Sequence, residues 1–267
     1  YNITYNIMSR KKNNLNIKEI EPDKKLVLSK FKFSCDDIDE SIPLPLPQML
    51  NFFMLICGRP GSGKTTLILN LVAKKGKMYN KKFDKIFVFS PSLMTLDDNP
   101  FEDLPEDQTS LELTEEILES ALENIKDSGE KVLFILDDVV NDIKRTSSIQ
   151  NTLSRMLMNR RHLAGAGGST SFIITTQVYN KIPAPIRKTA SHIIIFHTKN
   201  KKELDTIFDE LIIIPQVDFY QILQYCFDKR NHFLYIDTNK SYDKMFHKNF
   251  NKLEFNSDDE RGIGNPK

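Results

Sequence analysis

The octapeptide GRPGSGKT, Gly58 to Thr65, constrains this chain more than any other stretch. It matches the pattern G-x-x-x-x-G-K-[ST] in full, with an apolar run before it and a helical pattern after it. Gly58, Gly61 and Gly63 let the backbone curl and come close to an anion with no Cβ in the way. The loop N–H groups and the N-terminus of the following helix then point at one place, where a phosphate fits. The nucleotide-binding residues are therefore Gly58, Arg59, Pro60, Gly61, Ser62, Gly63, Lys64, Thr65 and Thr66. Lys64 is expected to reach the β- and γ-phosphates of ATP, and Thr65 to ligate Mg2+. Arg59 either adds a charge on the phosphates or points to solvent.

The rest of the chain supplies the sheet that such a loop needs. Short apolar runs alternate with helical patterns: NFFMLICG, then GKTTLILNLVAKKG; KIFVFSPS, then LTEEILESALENIKDSG; KVLFILDD, then NDIKRTSSIQNTLSRMLMNRRH. SFIITTQ, HIIIFHT and HFLYIDT read as further strands, with IPAPIRKTAS as a proline-started turn and NKKELDTIFDEL and PQVDFYQILQYCFD as helices. Thr114 is placed to cap its helix and Gly129 to stop it. Alternation of this kind predicts an α/β fold, a mostly parallel sheet covered by helices on both faces. Ligands of such sheets bind beyond the carboxyl ends of the strands.

Three segments are expected. Residues 1–47 form an extension with a strand over Lys25 to Phe33 and a linker carrying Pro43, Pro45 and Pro47. Residues 48–250 form the nucleotide-binding domain, and 251–267 a polar, disordered tail. Cys35, Cys57 and Cys226 are odd in number and scattered, which excludes a metal spacing or a disulfide framework and fits a reducing, intracellular setting. No apolar run approaches the roughly 18–20 residues of a membrane span, and the first residues lack the apolar core of a secretory signal. With 40% hydrophobic and 27% charged residues the chain has an ordinary globular composition, and its net charge of +1 leaves a nucleic-acid partner open. KKGKMYNKK, with Lys74, Lys75, Lys77, Lys81 and Lys82, reads as a solvated helix end or as a DNA-facing patch.

Polar residues at the predicted strand ends carry the chemistry. KVLFILDDVV runs an apolar strand into two aspartates. Asp137 is the expected second ligand of Mg2+. Asp138 is placed either to orient the attacking water or to cap the next element. Neighbours leave an extended chain in opposite directions, so the pair can divide these jobs. Gln177, ending SFIITTQ, is suited to hydrogen-bond a water and a γ-phosphate oxygen. Arg160 and Arg161 end a helix before a glycine-rich loop; they cap that helix or act as an arginine finger in a neighbouring subunit. Arg187 is a further candidate donor. A GTPase is excluded, because no glycine follows Asp137 and Glu203 stands in NKKE where a guanine-reading aspartate belongs. A small-molecule kinase lacks its arginine-rich lid.

Together, MLICGRPGSGKTTLILNLV, VLFILDDVV and above all RMLMNRRHLAGAGGSTSFIITTQVYNKIPAPIRKTASHIIIF resemble the genome-packaging ATPases of large DNA viruses. These form the poxvirus-type branch of the FtsK–HerA superfamily. The resemblance covers Asn51 to Thr198. It implies a RecA-like core with the Gln177 strand between the phosphate-loop strand and the Asp137 strand. It implies a homo-oligomeric ring with sites between subunits, a trans-acting arginine, and double-stranded DNA driven through the ring into a capsid. Capsid or portal-vertex proteins follow as further partners, and the host cytoplasm, virus factory or virion as locations. Gly61, Gly63, Lys64, Thr65, Asp137, Asp138 and Gln177 fall on the family's motif positions. The superfamily at large usually has Glu where this chain has Asp138. Two other readings stay open: a DNA helicase or pump without a capsid role, and an ATP-binding assembly switch with little turnover.

Overall fold

Alternation along the central strands splits the apolar side chains between two faces, and the sheet is buried on both. A computed structural model of the chain describes residues 34–72, 78–92, 96 and 99–255. The chain divides into two units, Tyr1–Lys32 and Phe33–Lys267. The first unit, the strand expected over Lys25 to Phe33, Lys74, Lys75, Lys77 and residues 256–267 of the expected tail lie outside the described residues. The start of that tail is ordered instead, with a strand over Asn251–Lys252 and with Leu253 and Phe255 packed against the core.

In chain order the elements are β1 (Phe53–Cys57), α1 (Lys64–Val72), β2 (Lys85–Phe89), β3 (Thr109–Ser110), α2 (Glu115–Ile125), β4 (Lys131–Leu136), α3 (Val140–Arg145), α4 (Ser147–Asn159), β5 (Ser169–Thr176), α5 (Ala184–Arg187), β6 (His192–Phe196), α6 (Lys201–Leu211), α7 (Gln216–Cys226), β7 (Phe233–Asp237), β8 (Phe246–Lys248) and β9 (Asn251–Lys252). Among the described residues they build one sheet of nine strands, ordered β3-β2-β4-β5-β1-β6-β7-β8-β9. Pairing from β3 through β6 is parallel. β7, β8 and β9 add an antiparallel edge. β5 lies between β1 and β4, the order that the resemblance implies.

Phe53, Leu55 and Cys57 of β1 join Val132, Phe134 and Leu136 of β4 in one core layer, under α2, α4, α6 and α7. Met54 and Ile56 join Leu133, Ile135, Ile173 and Ile194 in the other, under α1. Ile42, Leu46 and Leu50 complete this second layer. The proline-rich segment is thus not helical, but it packs on the sheet instead of hanging as a spacer. Lys82, in the basic stretch, pairs with Asp39 at 2.8 Å. At the sheet's centre Phe134 stacks between Phe87 and Phe172, with centroids 4.7 and 5.0 Å away.

Local signals set the helix ends. Thr114 Oγ1 accepts from Ile117 N–H and starts α2. The helix ends at Ile125 with Lys126 as its cap, and the left-handed residue that turns the chain there is Asp127 at φ 52°. Gly129, expected to stop the helix, lies beyond that turn at φ 70°. The helical stretch after β4 breaks into α3 and α4 at Thr146, whose Oγ1 caps α4 by accepting from Ile149 N–H. Cys35, Cys57 and Cys226 are buried free thiols. No helix of the described residues is long and apolar enough to cross a membrane.

Phe134→Ala removes the middle ring of the aromatic stack and leaves a cavity. Its expected cost is about 3–5 kcal/mol of stability, read from the urea unfolding midpoint; a loss within error of zero would contradict a close-packed centre.

Candidate functional site

Parallel pairing brings the ends of β1, β2, β4 and β5 to one edge. Cys57 pairs with Thr176 and the ladder continues one step, Gly58 N–H donating to Thr176 O at 3.0 Å. Gln177 therefore stands beside the phosphate loop. Leu136 pairs with Phe89 and with Ile174, so Ser90, Asp137 and Thr175 follow side by side.

The loop has no space to spare. A Cβ on Gly58 would lie 2.6 Å from Ser62 Oγ and 2.8 Å from Phe196 Cβ. Gly61 and Gly63 have φ of 70° and 108°, a region open to glycine at little cost. Lys64 is buried, and its ammonium donates to the Gly58 carbonyl at 2.7 Å and the Arg59 carbonyl at 3.3 Å. Burial lowers its pKa, while Asp138 and Asp137 act to raise it. Ser62 Oγ is buried with no hydrogen-bond partner among the described residues. A tight cradle, an orphaned hydroxyl and an ammonium held at the loop fit the phosphate groups of a nucleotide.

Asp137 is 1% exposed. A carboxylate so deeply buried needs its oxygens satisfied. Ser90 Oγ and Ser92 Oγ donate to Oδ2 at 3.1 and 2.7 Å, and Thr175 Oγ1 donates to Oδ1 at 2.7 Å. The same Thr175 oxygen accepts from Asp138 N–H at 3.1 Å. One hydroxyl thus fixes both aspartates.

Asp138 is exposed and has φ 59°. The two carboxylates do diverge, but the cause is this left-handed residue and not an extended strand. Aspartate enters that region more readily than most side chains, so a short acid suits the position. Gln177 Nε2 donates to both carboxylate oxygens of Asp138, at 3.0 and 3.1 Å. Its amide, read from sequence as a partner of water and phosphate, here holds the acid.

The arginines fall elsewhere. Arg160 and Arg161 lie at the opposite edge, where β1 and β5 begin. Arg160 donates from Nε to Asn51 O at 2.6 Å and from Nη1 to Leu157 O at 2.8 Å. Arg161 is exposed and forms a two-point ion pair with Asp36. Arg187 is tied to Glu210, Nε lying 2.8 Å from Oε2. Glu203 is buried; its carboxylate accepts from Tyr179 N–H at 2.6 Å and Thr198 Oγ1 at 3.0 Å, bracing the turn after Gln177. A cavity of about 610 Å3 also opens at the far edge, between Pro45, Met49, Phe52 and Phe250, and takes no part in the phosphate site.

Sequence reasoning missed Ser90, Ser92 and Thr175. The SPS after β2 and the paired threonines before Gln177 were their only marks. It also missed His197 and Arg230, which line a cavity of about 450 Å3 with Arg59, Pro60, Gly61 and Ser62.

Comparison with known proteins bears on the family and the fold. The family described as Poxvirus A32 protein matches residues 47–265. No match was found among curated proteins. Among solved structures, B204, the DNA-packaging ATPase from Sulfolobus turreted icosahedral virus, matches with a TM-score of 0.53 at 17% sequence identity, over 75% of this chain and 97% of that one. The genome packaging NTPase B204 from Sulfolobus turreted icosahedral virus 2, in complex with ATP-γS, matches with 0.48 at 16% identity, over 76% and 99%. At 17% identity the first likeness speaks for the fold: an α/β, mostly parallel sheet of the P-loop NTPase kind.

Thr175→Val keeps the shape and removes the hydroxyl shared by the aspartates. We expect a loss of about 1–3 kcal/mol in urea unfolding, since a buried carboxylate loses a donor. Thr175→Ser should recover most of it. Equal stability of the Val variant and the parent would show that the hydroxyl is not needed.

Proposed function

The chain belongs to the poxvirus A32 protein family, and from that premise we propose that it is an ATP-driven double-stranded DNA translocase that packages a viral genome into a capsid. The observation that carries the reading is the convergence of Lys64, Asp137, Asp138 and Gln177 at one sheet edge around the phosphate loop. The fold likeness to the DNA-packaging ATPase B204 supports it.

ATP is the substrate, bound with its phosphates on the loop N–H groups and Lys64. Thr65 and Asp137 are the residues that would hold Mg2+, which neutralises phosphate charge when bound. Asp138 orients a water for in-line attack on the γ-phosphate. Gln177, bonded to Asp138, holds that carboxylate in place and registers departure of the phosphate. The active form is a homo-oligomeric ring around DNA, in the infected cell, with capsid or portal-vertex proteins as docking partners.

Arg161 is the better trans-acting donor of the two. Its ion pair with Asp36 is solvent-exposed, and such pairs are worth roughly 0–1 kcal/mol. Arg160 would have to abandon two carbonyls. An arginine on the edge away from its own phosphate loop is suited to a neighbour's site.

The test is ATP turnover with and without double-stranded DNA. The parent chain should be DNA-stimulated, and Lys64→Ala and Arg161→Ala each nearly inactive, the finger being worth roughly 10³–10⁵ in rate. Mixing these two variants should restore part of the activity, because each supplies what the other lacks. ATP binding without turnover would favour an assembly switch instead. Rings that form from the mixture yet show no recovery would rule out Arg161 as the finger.

A further inference from the structure

A second cation reaches the phosphate loop from far along the chain. Two helices, α6 and α7, separate β6 from β7, so the chain descends and returns before β7 starts. β7 therefore runs antiparallel, Phe233 opposite Phe196, and the α7–β7 turn lies at the same edge as the phosphate loop. Arg230 sits in that turn. Its Nη2 is 3.1 Å from where a Cβ on Gly61 would stand.

The turn is held in place. Asp228 Oδ1 is 2.7 Å from His232 Nδ1, and Asp228 Oδ2 is 2.8 Å from Lys248 Nζ. Phe227 stacks on His197, the residue after β6, with centroids 5.2 Å apart and planes at 23°. Among the described residues no acid pairs with Arg230. Its guanidinium instead shares a cavity with Arg59 beside buried Lys64. Like charges gathered at one cavity are relieved by an anion.

Sheet order says which part of the anion. Asp137, Asp138 and Gln177 approach from β4 and β5, on one flank of β1, whereas Arg230 and His197 approach from β6 and β7, on the other. On the roles proposed above for Asp138 and Gln177, the γ-phosphate faces the first flank. We propose that Arg230 is a nucleotide-positioning residue whose guanidinium pairs, within its own subunit, with the diphosphate portion common to ATP and ADP. The proposal rests on the nucleotide-binding reading above.

An interaction made equally with substrate and product is uniform binding, which moves KM and not kcat. The test measures Mg2+-dependent binding of ADP and of a non-hydrolysable ATP analogue by calorimetry, with steady-state turnover, on the full chain. Arg230→Ala should weaken both nucleotides equally, by about tenfold, the loss of one charge-assisted hydrogen bond. It should raise KM in proportion and leave kcat within about twofold. Arg230→Lys should recover part of the affinity, as a charge without the fork. Unchanged ADP affinity in Arg230→Ala, or a loss confined to kcat, overturns the proposal, while weakened nucleotide binding in Lys64→Ala would still uphold the nucleotide-binding reading. A parent chain that binds neither nucleotide removes both readings together.

Discussion

A carboxylate buried as deeply as that of Asp137 imposes the main constraint on this fold. Left unpaired in such a place it would cost several kcal/mol. Three hydroxyls answer it, two from the loop after β2 and one from β5. The sheet must therefore bring the ends of β2, β4 and β5 into one register. That register also lifts Gln177 beside Gly58 and presents the Asp138 amide to Thr175. Satisfying one charge thus assembles the rest of the site.

The two edges of the sheet do different work. At the carboxyl end of the parallel strands the backbone is opened by glycines and by the left-handed Asp138, and polar groups gather beside the glycine-rich loop. At the other end Arg160 is spent on carbonyls and Arg161 on Asp36, fastening the segment before β1 to the sheet. An exposed ion pair is worth roughly 0–1 kcal/mol, whereas Arg160 would have to abandon two carbonyls, and that difference is the ground on which we propose Arg161 as the residue offered to a neighbouring subunit.

Much of this was legible in the sequence, for reasons of range. Strands β1, β4, β5 and β6 announce themselves because a period of two and burial on both faces leave apolar runs. Glycine and lysine in the phosphate loop carry their geometry locally. Thr114 could be assigned as a cap from its own neighbours. Ser90, Ser92 and Thr175 could not, since hydroxyls at strand ends gain meaning only when the register sets them against Asp137. The antiparallel direction of β7 went unread although the two helices before it were recognised, and Arg230 depends on that reversal, which brings the α7–β7 turn to the phosphate loop. The break at Thr146 was hidden because α3 and α4 are both helical on either side of one capping residue.

The central claim is that the adjacent aspartates divide two tasks, and paired binding and turnover measurements on Asp137→Ala and Asp138→Ala test it most directly. Asp138→Ala should bind Mg2+ and ATP with near-parental affinity and lose hydrolysis. Asp137→Ala should lose both Mg2+-dependent binding and hydrolysis. Identical behaviour of the two variants, or full turnover without Asp138, would contradict the division of roles.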